Sequence, residues 1–324
     1  MRYFNEKDVL ALGADWNNLI DAMEKAIICQ SRGEAEQPLK PYLKFRNTRN
    51  RIIAMPAYVG GTIKAAGIKW IASFPDNIER GLSRASSLLV LNDVSTGKPL
   101  AIFNTTLLSI LRTVSVTGVM LRSYLNSRTV EEACVGILGV GPIGQWHYKF
   151  LKQMYGDKIK RFIVFDKSQA RMNEFIEQYQ DKTIRLADSW ESAYCQSDMV
   201  ITCTTTSEPY INLPPKPGSL QLNISLRDYS EGIYPYVTGG IVIDNWSEVC
   251  REGTSIELLY KRHGLKPTDC MTLEDIILRN KLSQVNSKTP IFFSPMGMAI
   301  FDVTIGKYYL TLAEESGTGL MLEG

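Results

Sequence analysis

Gly139, Gly141 and Gly144 carry the most specific chemical signal in the chain, because they keep the G-x-G-x-x-G spacing directly after the apolar run Cys134–Leu138. That run reads as a strand. Pro142 fits the first turn of a following helix, where its missing N–H removes only a donor without an intrahelical partner. Gly139 permits the tight turn, Gly141 lets a pyrophosphate approach the backbone, and Gly144 lets the helix pack closely on the strand. Ile143 lies among the free N–H groups at the helix start, which together with the dipole favour phosphate. Twenty-two residues past Gly144, a second apolar run, Phe162–Phe165, ends in Asp166. An acid there accepts hydrogen bonds from a ribose 2′-OH and repels a 2′-phosphate, which predicts NAD rather than NADP. Three glycines alone make only a turn. The ordered strand, helix, strand and acid point to a dinucleotide.

Other candidates stand singly. Lys69 interrupts the apolar run Gly67–Ile71, so it is either an edge residue facing water or a buried cation with a partner. Asp228 follows the apolar run Leu220–Ile224, at the carboxyl end of a sheet strand where open α/β sheets bind ligands; otherwise it caps a turn. Arg112 offers a planar fork of donors that fits carboxylate or phosphate, or it snorkels from its helix. Thr204 and Thr205 follow the strand-like run Met199–Cys203 and line either a nicotinamide site or an ordinary loop. His147 and His263 are the only histidines and lie far apart, so no histidine triad or histidine-based zinc site is expected. Proton transfer falls to Lys, Arg, Asp or Glu, and no metal is predicted.

The elements that position these groups follow from patterning. Asp15 caps a helix reaching about Arg32. Strand-like runs follow at Arg51–Ala54, Gly67–Ile71, Leu88–Leu91 and Leu100–Phe103, the last two flanking a hairpin connection at Asn92–Pro99. Thr106–Leu125 reads as a helix, and an alternating α/β pattern then continues to about Ile243. A strand at Pro290–Phe293 and a helix over Met298–Glu315 close the chain. The 324 residues suit two domains. The first comprises 1–128 with 305–324 returning to it; the second, 129–304, is the dinucleotide-binding domain.

The net charge is +2, from 36 basic and 34 acidic residues spread along the chain. No basic block with interleaved aromatics argues for nucleic acid, and Lys158–Arg161 reads as a solvated turn. The first residues lack the apolar core of a signal peptide, and no apolar run approaches a membrane span. The six cysteines form no C-x-x-C pair and read as reduced, mostly buried thiols. A cytoplasmic location is the expectation.

Several segments, in order along the chain, together resemble the ornithine cyclodeaminase/mu-crystallin family. They are Met55–Tyr58, Gly67–Trp70, Leu91–Asp93 with Thr96–Ala101, Leu111–Thr113, the glycine loop, Thr202–Thr206, Asp228 and Pro295–Asp302. The resemblance implies an α/β enzyme with a Rossmann NAD-binding domain and a β-rich N-terminal domain for substrate and dimerisation, joined by the C-terminal helix. It implies action at the C–N bond of an amino-acid-derived small molecule, and a homodimer. The stretches Gln37–Leu43, Arg51–Pro56 and Asn223–Ser225 resemble one branch in particular. That branch oxidises the secondary amine joining glutamate to 2,3-diaminopropionate, for siderophores and related nonribosomal products.

By the same resemblance Asp228 is the general base, which a carboxylate suits if burial raises its proton affinity towards neutrality. Lys69 is expected to bind the substrate carboxylate and polarise the intermediate. Arg112, with Thr113, is expected beside the cofactor, as are Ser86, Thr204 and Ser225. Lys40 stands where many members have an arginine, keeping the charge but losing the bidentate fork. Arg227 and Arg51 add cations suited to a substrate with three carboxylates, with Arg80 and Arg84 as further candidates. Cyclodeaminases also carry a lysine four residues past the base, where this chain has Gly232; cyclisation is not expected.

Overall fold

A computed structural model of the chain describes residues 1–47 and 50–323. They divide into two compact units, 1–119 with 297–324, and 120–296. Both boundaries fall nearer the N-terminus than patterning suggests. One lies inside the helix Leu107–Ser127, whose continuous apolar pattern hides it. The other precedes Gly297, whose carbonyl is held by Lys40 of the first unit.

In the first unit, strands run across one sheet in the order Leu320–Met321, Arg2–Phe4, Pro99–Asn104, Ala85–Asn92, Ala65–Ser73, Arg51–Val59 and Ala35–Glu36, and Tyr42–Lys44 also pairs with Arg51–Val59. The central strands are antiparallel, and their register sets Met55, Lys69 and Leu89 in one row. Cross-strand neighbours share a face, so these three point the same way, and all are buried. The helices Trp16–Ser31 and Ala299–Ser316 pack together, and the latter lies along the central strands. Asp15 caps the first of them, its side chain accepting from Asn18 N–H. Gly306 allows the close approach, since a Cβ there would come within 2.5 Å of Leu89. The other face leaves Leu43, Tyr58 and Trp70 exposed.

The second unit is a parallel sheet ordered Ile184–Leu186, Ile159–Phe165, Ala133–Leu138, Met199–Thr202, Leu220–Asn223, Ile291–Phe293, Ile241–Ile243 and Met271–Thr272. All its pairings are parallel. Helices cover such a sheet on both sides, which is why Val135, Ile137, Phe162, Val164 and Ile201 read as unbroken apolar runs and are all buried. The order reverses beside Ala133–Leu138, making this a doubly wound Rossmann sheet with its switch point at the glycine turn. Lys158–Arg161 departs from expectation: the turn ends at Lys158, and Ile159 already begins a strand paired with Ala133. All six cysteines are free thiols, but only Cys29 and Cys270 are fully buried, and Cys195 is exposed. No helix among the described residues is long and apolar enough to cross a membrane.

Candidate active site

The glycine turn has the geometry that its residue types require. Gly139 has φ +97, and a Cβ there would meet the Cys203 carbonyl oxygen at 2.6 Å. A Cβ on Gly144 would lie 2.1 Å from the Gly139 carbonyl oxygen, so only glycine lets this helix start against the strand end. A Cβ on Gly141 would meet nothing within 4 Å. That position is left open for an incoming group, and it is the N-cap of the helix Pro142–Tyr155. Asp166 is tied to the same turn, with Oδ2 accepting from Val140 N–H at 3.0 Å and Oδ1 from Ser168 N–H at 2.9 Å. Open space at the central glycine, a helix N-terminus and a fixed acid fit the diphosphate and ribose of a dinucleotide.

Beside this turn, Asp228 is fully buried. Thr204 Oγ1 donates to its Oδ1 at 2.6 Å, and Ser225 Oγ donates to its Oδ2. The Tyr210 hydroxyl is a further partner, and this contact together with burial holds that phenol in its protonated form. The Asp228 main-chain oxygen accepts from Tyr210 N–H at 2.9 Å and Ile211 N–H at 2.8 Å. The loop that carries it is bent through Leu226, whose φ of +74 is uncommon for a side chain of that size. Thr204 and Ser225, expected as cofactor contacts, thus have Asp228 as their hydrogen-bond partner. Arg227 turns its guanidinium to the Glu252 carbonyl oxygen, with Nη2 at 2.6 Å.

In the first unit, Lys69 Nζ lies 2.8 Å from Asp302 Oδ1, and Arg112 Nε lies 3.0 Å from the same oxygen. Lys69 and Asp302 are each 2 % exposed. The buried-cation reading of Lys69 is the correct one. Ser109 accepts a second hydrogen bond from Lys69 Nζ at 3.2 Å. Lys40, 4 % exposed, donates to the Gly297 carbonyl oxygen at 2.5 Å. Gly297 has φ +85, and a Cβ there would lie 2.2 Å from an Arg112 guanidinium nitrogen, so the glycine makes room for the arginine. Lys69 and Arg112 thereby converge on one acid, and Lys40 lies close enough to Lys69 to act on its charge. Burial pushes Lys69 down from 10.5 to about 7, opposed by Asp302 and reinforced by Arg112.

The remaining candidates lie elsewhere. Thr113 spends its hydroxyl on the Ser109 carbonyl oxygen at 2.7 Å, within its own helix. Ser86 is exposed and lies inside the strand Ala85–Asn92, paired with Ala72, rather than before that strand. Arg51 packs over the Tyr42 ring with its cation 5.9 Å from the centroid, and its Nε is buried without a hydrogen-bond partner among the described residues. His147 is buried and neutral, its pKa lowered by burial to about 4, while His263 stacks on Tyr234. Sequence reasoning did not single out Asp302 as a site residue. The signal was available: Asp302 is the only charge in the apolar stretch Ala299–Ile305, as Lys69 is in Gly67–Ile71.

A doubly wound sheet with an open glycine turn at its switch point, and a buried carboxylate beside that turn, defines a dinucleotide-binding α/β protein. The chain belongs to the ornithine cyclodeaminase/mu-crystallin family, whose model matches residues 7–214. It is 29% identical to the N-((2S)-2-amino-2-carboxyethyl)-L-glutamate dehydrogenase of Staphylococcus aureus (strain NCTC 8325 / PS 47) over 334 aligned residues, covering 99% of this chain and 98% of that protein. The fold matches Thermococcus litoralis Delta(1)-pyrroline-2-carboxylate reductase, solved with NADH and L-proline, at TM-score 0.87, with 23% identity over 99% of this chain and 100% of that one. It also matches an archaeal alanine dehydrogenase dimer with bound NAD at TM-score 0.83, with 21% identity over 100% of this chain and 99% of that one.

Proposed function

We propose that the protein is an NAD-dependent oxidoreductase that cleaves N-(2-amino-2-carboxyethyl)-L-glutamate into 2-oxoglutarate and L-2,3-diaminopropionate, a building block for siderophores or related nonribosomal products. The observation that carries this reading is a pair of cations on one acid: Lys69 and Arg112 both meet Asp302 Oδ1, and Lys40 lies near enough to Lys69 to lower its proton affinity. Cations gathered there suit a substrate with three carboxylates, and the full-length similarity to the Staphylococcus enzyme supports the same substrate.

Gly139, Gly141, Pro142, Ile143 and Gly144 hold the diphosphate, and Asp166 holds the ribose hydroxyls and disfavours a 2′-phosphate. NAD bound there supplies the hydride acceptor. Lys69 and Arg112 anchor a substrate carboxylate, with Lys40 and Arg51 as the further substrate cations. Asp228 is the final acceptor of the amine proton. It passes that proton to solvent, takes a proton from the water that adds to the iminium, and returns it to the leaving amine as the carbinolamine collapses to ketone and amine. In balance, the adduct, water and NAD give 2-oxoglutarate, diaminopropionate, NADH and a proton.

The protein works in this reading as a cytoplasmic homodimer. The supports are free thiols and a sheet face on which Leu43, Tyr58 and Trp70 are exposed. Gly232, where a cyclodeaminase would carry lysine, lies in a short turn and has space for a side chain, since its Cβ would meet only Ser230 Oγ at 3.5 Å. Its glycine removes an amine rather than relieving a clash, which argues against cyclisation. The test is NADH formation with the synthetic adduct, with L-ornithine, L-alanine and L-proline run alongside. Turnover of the adduct, with 2-oxoglutarate appearing in step, supports the reading. An inert adduct beside an active simple amino acid overturns it.

A further inference from the structure

Asp228 is assigned the base, yet it has no exposed surface, so a substrate cannot touch its carboxylate. Its two oxygens are covered by hydroxyls from Thr204, Ser225 and Tyr210, all on partly exposed residues. The Ser225 and Thr204 hydroxyls differ in what else they hold. Ser225 Oγ accepts from Thr204 N–H at 3.1 Å and lies 3.1 Å from Thr202 Oγ1. Thr202 leads on to Asn223 at 3.4 Å, and Asn223 to Ser294 at 3.1 Å. Thr202, Asn223 and Ser294 are fully buried, so Ser225 is anchored inward and fixes the carboxylate.

Thr204 Oγ1 has a simpler inventory. It donates to Asp228 and accepts from Thr206 N–H at 3.2 Å. A hydroxyl has two lone pairs, so one remains to receive a proton from outside. Thr204 also lies against the glycine turn, where a Cβ on Gly139 would come within 3.2 Å of Thr204 N.

We infer that Thr204 is a catalytic relay, passing the substrate proton to Asp228, and that Ser225 is the positioning residue that holds Asp228 towards it. The inference rests on Asp228 being the base of the proposed reaction. The substrate N–H bond breaks as a bond forms from that proton to Thr204 Oγ1. The original Thr204 O–H bond breaks as its proton bonds to Asp228 Oδ1. Thr204 ends neutral with its hydrogen bond reversed, Asp228 ends protonated, and no electrons change hands in the transfer. The proton of the attacking water takes the same route.

The experiment compares Thr204→Val, which keeps the shape and loses the hydroxyl, with Thr204→Ser, which keeps the hydroxyl. Removing general-base function lowers kcat by about 100-fold or more. The relay predicts that loss for valine and recovery of most of the rate for serine, with NAD affinity by fluorescence titration unchanged in both. It also predicts a curved dependence of kcat on the deuterium fraction of the solvent in the wild type, because two protons move together. A valine variant at the wild-type rate, equal losses for valine and serine, or a linear wild-type solvent dependence would overturn it. The rates are read on whichever of the adduct, ornithine, alanine and proline the wild type turns over. Loss and rescue on a substrate other than the adduct would sink the substrate assignment and leave the relay standing. Adduct turnover indifferent to Thr204 would do the reverse, and silence with all four would end both.

Discussion

Asp302 lies between Lys69 and Arg112, whereas Asp228 lies among the hydroxyls of Thr204, Ser225 and Tyr210. Both are buried. At Asp302 two cations, Lys69 and Arg112, converge on one oxygen, and the acid's work is to hold them. At Asp228 the partners are neutral and can turn, donating to a carboxylate or accepting from a carboxylic acid. A carboxylate held by cations is a poor proton acceptor. One held by hydroxyls can take a proton and give it back, because its surroundings reorganise without moving a heavy atom. The partners, rather than the depth of burial, separate the anchor from the base.

The sharpest way to break this comparison is to replace each acid by its amide. Asp228→Asn is expected to lower kcat by about 100- to 10,000-fold with little change in melting temperature or NAD affinity, because the hydroxyls can adapt to an amide. Asp302→Asn strands the buried Lys69 and the half-buried Arg112. Removing one partner of a buried pair typically destabilises by about 3–5 kcal/mol, so denaturant unfolding is expected to show a loss of that order, with a raised KM for the adduct. If Asp228→Asn unfolds the protein while Asp302→Asn leaves it stable, the roles are reversed and the comparison fails.

Gly297 offers a smaller perturbation on the cation side. Gly297→Ala adds a side chain at φ +85 that would meet the Arg112 guanidinium. Strain at such a position is of order 1–3 kcal/mol, so the expected result is a stability loss within that range and weaker substrate binding. On the dinucleotide side, Asp166→Ser removes a charged acceptor. Hydrogen bonds to charged groups contribute about 1.5–3 kcal/mol, so NAD affinity should fall by about 10-fold or more and the preference over NADP should narrow. Equal use of both cofactors by the wild type would contradict the role given to Asp166.

The mildest probe is pH. Lys69 is held at about 7 in the fold, against 10.5 as its ordinary value. Between those values the unfolded chain binds the extra proton, so this residue makes stability rise with pH across that window and contributes no slope below it. Lys69→Met should flatten that slope. An amine that binds a carboxylate must be protonated, so kcat/KM is expected to fall as pH rises above about 7 in the wild type, with that limb missing in Lys69→Met.

How much of this was legible in the sequence depends on how far apart the partners lie. The glycine turn and Asp166 are local, fixed by one strand-turn-helix-strand unit, and spacing alone located them. The central strands of the first unit were equally readable, because one buried face forces alternation on each. The chain ends were not: Arg2–Phe4 and Leu320–Met321 are too short to show a period, and they pair across almost the full chain. Lys69 was visible as a misplaced charge, but its partner lies 233 residues away. Thr204 and Ser225 were visible as strand-end hydroxyls. That they face Asp228 depends on the parallel register of Met199–Thr202 with Leu220–Asn223, which no local pattern encodes.

The most direct test of the account follows NADH and 2-oxoglutarate together, with purified protein, NAD and the synthetic glutamate–diaminopropionate adduct, in the wild type and in Asp228→Asn. The account predicts the two products in equal amounts from the wild type, and almost none from Asp228→Asn, although that variant still binds NAD. An adduct that the wild type leaves untouched, or an Asp228→Asn variant that turns it over at a comparable rate, would contradict it.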